Sequence, residues 1–314
     1  MNSAASFSPV MSSRVFVHAN AYATPARAGH ALGARSASHL NIAARKASPS
    51  LQAFRTREPT TSRGFSRKTY TGATASETLY DMPISNNGAR VRLVIYWKGL
   101  ENNVTITSPA VIGGLKSDEY LALNPQGKMP VLVLDDDQAL PESEVITQYL
   151  VDKYADVGPS LRPGTPEQRA KANLATRIHD FYITSIQGVM YRGPMPLKDR
   201  AEGIKAISQQ LQILEDICEA GPYFVGDQPS TADAALFPTF VFMAFILPCK
   251  FGWDDVFAGK PKLKAWYQHM KVDGCGARVY EEVHSALEEW DKSGRWEKVG
   301  ITKDTEDTNH VWKY

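Results

Sequence analysis

Cysteine is scarce in this chain of 314 residues: Cys218, Cys249 and Cys275 are its only three, and their spacing forms neither a metal knuckle nor a CxxC redox pair. A disulfide framework is thereby set aside, and the thiols read as buried or idle groups of a reducing compartment. The seven histidines are scattered without an HExxH pair, so no metal is expected. Long apolar runs are missing as well. The longest, AALFPTFVFMAFILP over residues 234–248, contains a proline and lies between Asp233 and Lys250. It falls short of the roughly 20 residues that a bilayer span needs, so it reads as a core helix and no membrane span is expected.

Acid is absent from residues 1–57, where seven basic residues from Arg14 to Arg57 are spread through a Ser- and Ala-rich background. Such a stretch suits an organelle transit peptide, because an acid-free basic chain is drawn along a membrane potential and a polar chain stays unfolded for import. Residues 1–76 are therefore read as a transit peptide or disordered leader, with a disordered regulatory tail as the competing reading. RGFS over residues 63–66 looks like a mitochondrial processing site, whereas the uncharged, Ser-rich first thirteen residues look plastidic. The expected location is the plastid stroma or mitochondrial matrix after leader removal. Without residues 1–65 the chain carries 27 Lys and Arg against 33 Asp and Glu, and this acidic balance argues against a nucleic-acid partner, which needs a basic face.

What remains has two rhythms. From residue 78, TLYDMPI reads as a strand, GARVRLVIYWKGL as a helix ending at Lys98-Gly99, and NVTITSPAV as a β-branched strand. SDEYLALNPQGK then reads as a short helix, MPVLVLDD and QALPE as a hairpin, and ESEVITQYLVDKYA as a closing helix. The order βαβ, αββα fits an α/β thioredoxin-like N-terminal domain over residues 77–156, although pattern alone leaves several α/β topologies open. Past the Gly/Pro-rich GPSLRPGTPEQ the strands vanish, and five helical periodicities make residues 164–298 an all-α C-terminal domain. The polar residues 299–314 are expected to form a flexible tail.

Four segments then carry a resemblance: LYDMPISNNGARVRL, NPQGKMPVLVL followed by PESEVI, SLRPGTPEQRA, and FVGDQPSTADAALFP. In this order and spacing, over roughly residues 78–298, the chain resembles the glutathione S-transferase family, with serine-type chemistry. The resemblance implies that a cis bond before Pro130 turns the backbone N–H and C=O of Met129 outward to hold the peptide-like middle of glutathione, as an added strand would. Glu142 and Ser143, at a helix mouth, would take the γ-glutamyl ammonium and carboxylate. Lys128, and less directly Lys116, would meet the glycyl carboxylate. Ser85, five residues before Arg90, would donate its hydroxyl to the glutathione sulfur as an anion stabiliser, with Tyr80 as the fallback hydroxyl.

The second domain would supply the surface for an apolar electrophile, with Phe181, Tyr182 and Tyr191 as pocket candidates, His179 beside them, and Phe240 and Phe245 from the next helix. Two departures narrow the class. Asn86 and Asn87 follow Ser85, so the Ser-Ser-Cys signature of zeta-like isomerases is missing, and no cysteine stands where omega-like and dehydroascorbate-reducing classes use one. STAD over residues 230–233 reads as a capping box, a folding element. The expectation is a homodimeric, glutathione-dependent transferase without a metal. A glutathione-dependent isomerase, peroxidase or ether-cleaving enzyme and a non-catalytic binding or assembly module of the same fold are the alternatives.

Overall fold

In the computed structural model, residues 77–314 are described; the expected leader over residues 1–76, with its transit-peptide reading, lies outside the described residues. Strand β1 (Glu77–Tyr80) pairs in parallel with β2 (Val104–Thr107) and antiparallel with β3 (Val131–Val133). Strand β4 (Ala139–Pro141) completes the sheet in the order β2-β1-β3-β4. Parallel neighbours cannot be joined by a tight turn, and α1 (Asn86–Lys98) makes the crossover. Helices α2 (Asp118–Leu123) and α3 (Ser143–Lys153) complete the unit. This small mixed sheet with its helices is the thioredoxin-like domain expected from the pattern.

Helix α1 is buried nearly all round, including Val91, Leu93, Val94 and Ile95, because it packs on α3 and also on two helices of the second half. Gly99 ends it in the left-handed region, φ 64°, where a residue without Cβ is least strained. The buried Lys98 reaches across to donate to the carbonyls of Tyr154, Val157 and Pro159 at 2.9–3.1 Å. A cation placed on the last carbonyls of a helix and the loop beyond it is favourable.

The second half is helical: α4 (Pro166–Ile178), α5 (Leu197–Ile217), α6 (Thr231–Phe251), α7 (Pro261–Val272) and α8 (Gly274–Lys292). Helix α6 is its axis, packed against α1, α4 and α8. Its 21 residues make it the one helix among the described residues long and apolar enough to cross a bilayer, and most of its apolar stretch is buried inside the fold. At its start the fully buried Asp233 accepts from the Ser230 N–H and hydroxyl, the Phe224 N–H and Trp266 Nε1 at 2.7–2.8 Å. A buried carboxylate needs such a complement of donors.

The flexible tail expected over residues 299–314 is corrected by the structure. After α9 (Arg295–Lys298) comes a further helix, α10 (Ile301–Thr305), and Val299, Ile301 and Trp312 are all buried. Arg200 Nε donates to Asp304 at 2.6 Å, and Trp253 Nε1 donates to the Trp312 carbonyl at 2.7 Å. Three well-spaced apolar anchors hold a segment that is polar on average.

Candidate functional site

The first functional side chain is fixed by helix capping. Ser85 stands at the N-cap of α1 with extended backbone, φ −82° and ψ 111°, and its hydroxyl accepts from the Gly88 N–H at 3.0 Å. The hydroxyl proton is left to donate elsewhere. Behind it lies a carboxylate that the sequence reading missed: Asp81, buried, bound to Arg92 at 2.8 Å through Oδ2, with Oδ1 unpaired among the described residues. A Cβ at position 88 would stand 1.7 Å from that Oδ1, so glycine there is what admits the carboxylate. Burial pushes the Asp81 carboxyl up to about 6, although the Arg92 charge pulls it down.

The second component is main chain. The Met129–Pro130 peptide is cis, as the resemblance implies. Among the described residues no hydrogen bond engages the N–H or C=O of Met129, whereas the carbonyl just before it, that of Lys128, is clamped by the Tyr120 hydroxyl at 2.9 Å and Asn124 Nδ2 at 2.8 Å. Burial raises Tyr120 to about 12, which keeps that hydroxyl a donor. Glu142, at the N-cap of α3, has φ 73° and ψ 115°, a conformation that a non-glycine residue adopts only at a cost and that points to a site. Ser143 follows it, buried. Met129, Pro130, Glu142 and Ser143 line a cavity of about 130 Å³ together with Asn87, Asn124, Lys128 and Thr184.

That cavity shares Asn87, Lys128, Met129 and Thr184 with a larger one of about 650 Å³, where Ser85 also lies. The far wall of the larger cavity is aromatic: Tyr191 stands edge-on to Phe242 at 5.4 Å and tilted against Trp290 at 6.1 Å. Arg192 and Arg295 also line it.

The expected residues thus divide. Ser85, Lys128, Met129, Pro130, Glu142, Ser143 and Tyr191 line the joined cavities. Lys116 lines neither; it is exposed, with Nζ beside Gly127. Tyr80 is corrected: it lines neither cavity and stacks edge-on to Tyr120 at 6.2 Å. Phe181 and Tyr182 are corrected too, since they are 62% and 58% exposed. Helix α4 gives way to a π-helical turn over His179–Ile183, which buries its two ends and leaves Phe181 and Tyr182 facing out. Phe240 belongs to the core and stacks on Phe257, while Phe242, two residues on, reaches the cavity.

A polar chain ties the two halves together behind the site. Asn86 Nδ2 donates to Gln187 at 2.6 Å and to the Thr239 hydroxyl at 2.8 Å, and that hydroxyl is 2.8 Å from His179 Nε2. His179 Nδ1 lies 2.9 Å from Asp180, which also binds Arg90 at 2.8 Å. Burial lowers His179, so the ring is neutral, with Nδ1–H donating to Asp180 and Nε2 accepting from Thr239. Burial alone would raise Asp180, yet the His179 hydrogen bond and the Arg90 charge hold its carboxyl down at about 2. Arg90, almost wholly buried, also pairs with Glu144 of α3. Ser85 is thereby held against the helical half by its own neighbour, Asn86. Among the described residues no group of three or more His, Cys, Asp or Glu side chains is gathered to hold a metal.

Comparison with known proteins bears on this architecture. Residues 79–160 match the family model of the glutathione S-transferase N-terminal domain, and residues 198–269 match that of the C-terminal domain. Glutathione S-transferase 3 of Zea mays is 32% identical over 200 residues, spanning 60% of this chain and 86% of its own. A maleylacetoacetate isomerase of Pseudomonas aeruginosa is 29% identical over 167 residues, 51% of this chain and 78% of its own. Among solved structures, glutathione transferase F7 from Populus trichocarpa superposes with a TM-score of 0.56 at 22% identity, covering 66% of this chain and 99% of that one. With both domain models matched in order around one cleft, the chain belongs to the glutathione S-transferase family.

Proposed function

We propose that this protein is a glutathione transferase: it binds glutathione in the smaller cavity and directs its sulfur at an electrophile in the larger one. The observation that carries this reading is the unpaired backbone edge of Met129 between the strained helix mouth at Glu142 and the capping hydroxyl of Ser85. The cysteinyl residue of glutathione pairs with that edge as an extra strand. Ser143 and the free N–H groups of α3 take the γ-glutamyl carboxylate, Glu142 takes the ammonium, and Lys128 takes the glycyl carboxylate.

Ser85 donates to the sulfur, and the N-terminus of α1 adds favourable potential for the thiolate. The thiol proton passes to solvent, the sulfur attacks the electrophilic carbon, and the leaving group departs with the electron pair of the bond that breaks. Lowering a thiol from about 8.5 to about 6.5 raises its thiolate fraction at neutral pH about 25-fold, but reduced nucleophilicity takes back roughly 8-fold. Most of the acceleration therefore comes from holding the electrophile against the sulfur, which is the task of the Tyr191, Phe242 and Trp290 wall.

Two measurements test the reading on the protein lacking residues 1–65: retention on immobilised glutathione, and turnover of chlorodinitrobenzene by wild type, Ser85→Ala and Tyr80→Phe. The expected result is retention, turnover by wild type and Tyr80→Phe, and loss of turnover in Ser85→Ala. Full activity in Ser85→Ala would remove the assigned role of that hydroxyl. On the family's habit alone we also read the protein as a homodimer, to be checked by light scattering. The acid-free leader leads us to propose import into a plastid or mitochondrion. N-terminal sequencing of the protein from cells checks this, and an intact Met1 would count against it.

A further inference from the structure

The larger cavity carries more positive charge than an apolar substrate needs. Its ionisable side chains of fixed charge are Lys128, Asp180, Arg192 and Arg295. Asp180 is already answered by Arg90 at 2.8 Å and Arg177 at 3.3 Å, and Lys128 belongs with glutathione. Arg192 and Arg295 are in a different position, because among the described residues neither lies within ion-pair distance of a carboxylate. What holds each of them is aromatic and main-chain contact. Arg295 lies over the Trp290 ring, 4.7 Å from its centre, and donates to the Tyr191 carbonyl at 3.3 Å. Its Nε is buried without a hydrogen-bond partner among the described residues. Arg192 lies 5.6 Å from the centre of the Tyr191 ring and packs on Gly188, where a Cβ would come within 3.2 Å of its Cδ.

We propose that the electrophile taken by this protein is a planar, conjugated molecule bearing a carboxylate, which Arg295 and Arg192 bind while the ring or conjugated body lies on Tyr191, Phe242 and Trp290. This rests on the transferase reading above and replaces its apolar electrophile with an anionic one. Two guanidinium groups that line one cavity without a carboxylate partner among the described residues suit an oxyanion, the acceptor that best matches the fork of donors on arginine. Stacking on Trp290 fixes the plane of that fork before the substrate arrives, so little side-chain entropy is lost on binding. The same pair of cations repels nothing in an aromatic neutral substrate but gives it no anchor either. Selectivity thus lies in the anionic group.

The test compares chlorodinitrobenzene with chlorodinitrobenzoate, the same aryl chloride carrying a carboxylate. It uses the protein without residues 1–65, as wild type, Arg295→Gln, Arg295→Lys and Arg192→Gln. The ratio of kcat/KM for the anionic over the neutral probe is expected to fall about tenfold or more in Arg295→Gln, as loss of a charge-assisted hydrogen bond implies. Arg192→Gln should lower it less, and Arg295→Lys should restore part of it. An unchanged ratio in both glutamine variants overturns the proposal. Arg192 is exposed, so its variant keeps the test open if Arg295→Gln fails to fold. Should wild type turn over neither probe, the transferase reaction fails on its own. Calorimetric binding of dinitrobenzoate against dinitrobenzene then reads the arginine site directly: selective loss of the anion in Arg192→Gln upholds it, and equal binding of the two by wild type overturns it.

Discussion

The two ends of the cleft are built by different means. At the end proposed for glutathione the groups are main chain and helix mouths, supplied by residues adjacent in sequence: Lys128 to Pro130, and Glu142 with Ser143. At the electrophile end they are side chains brought from remote places, with Tyr191 following a short turn, Phe242 from α6, Trp290 from α8 and Arg295 from α9. A backbone edge binds whatever presents a peptide, so it tolerates change in its side chains. A wall of side chains is specific to them. The second end is therefore more sensitive to side-chain substitution than the first, and the polar chain from Asn86 to Arg90 is what holds one against the other.

The most damaging way to break this comparison is to cut that tie. Arg90→Met leaves Asp180 and Glu144 together, with only the more exposed Arg177 to answer both. Breaking a buried pair from one side costs about 3–5 kcal/mol, read as a lower denaturation midpoint, and glutathione and electrophile KM should rise together. If only one of them rises, the two ends are not joined through this chain. A smaller effect concerns the carboxylate behind Ser85. Because the folded protein holds Asp81 up at about 6 against an ordinary value of 3.8, the fold binds more protons than the unfolded chain between those values. The stability contributed by this group is full below about 3.8 and is lost as pH rises through about 6. The unfolding free energy of wild type minus that of Asp81→Asn should thus shrink by on the order of 3 kcal/mol from acid to neutral pH. Growth of the difference over that range would mean that Arg92 outweighs burial.

Two substitutions of intermediate size sharpen the contrast between the ends. Ser143→Ala should raise the KM for glutathione about tenfold with little change for the electrophile, the scale of one hydrogen bond to a charged group. Trp290→Ala should do the reverse, and steady-state kinetics with each substrate varied in turn checks both. A variant that moves both constants equally would dissolve the division. Glu142→Gly separates stability from binding at one residue: glycine relieves the positive φ of 73°, stabilising the ligand-free fold by about 1 kcal/mol. Glutathione retention falls at the same time, since the carboxylate for its ammonium is gone. A variant that is less stable than wild type would show that the φ of Glu142 carries no strain.

The same contrast explains what could be read from the chain itself. The strands and helices were legible because alternation, caps and breakers are local: Ser85 and Gly99 bracket α1, and Asn124-Pro125 stops α2, whereas the order of the strands in the sheet was left open. That Met129, Pro130, Glu142 and Ser143 would lie together was legible because they come from two short contiguous stretches, and they line one cavity. Phe242, Trp290, Arg192 and Arg295 carried no local signal, since only tertiary packing puts α6, α8 and α9 on one cavity. Asp81 was passed over as the end of a strand, and the glycine that makes room for it looks like any other. The tail misled because its average polarity hides Ile301 and Trp312, whose burial depends on partners such as Phe251, more than fifty residues away.

Phe181 and Tyr182 offer the mildest and most discriminating prediction. They became pocket candidates as part of an aromatic-rich helix near His179 and Tyr191, although a residue two positions on from His179 falls on the opposite face of a regular helix. His179 and Ile183, at the two ends of the π-helical turn, are buried, and the aromatic pair Phe181 and Tyr182 faces outward, with the Arg177 guanidinium 5.6 Å from the centre of the Phe181 ring. An exposed ring that gives up one cation–π contact costs at most about 0.5–1 kcal/mol, and surface changes generally stay within about 0.5 kcal/mol. Phe181→Ser should therefore leave the electrophile KM within about twofold and barely move the unfolding midpoint, in contrast to Trp290→Ala. A KM rise as large as that of Trp290→Ala would return Phe181 to the cavity, and the turn would then have to carry a different side chain outward in its place.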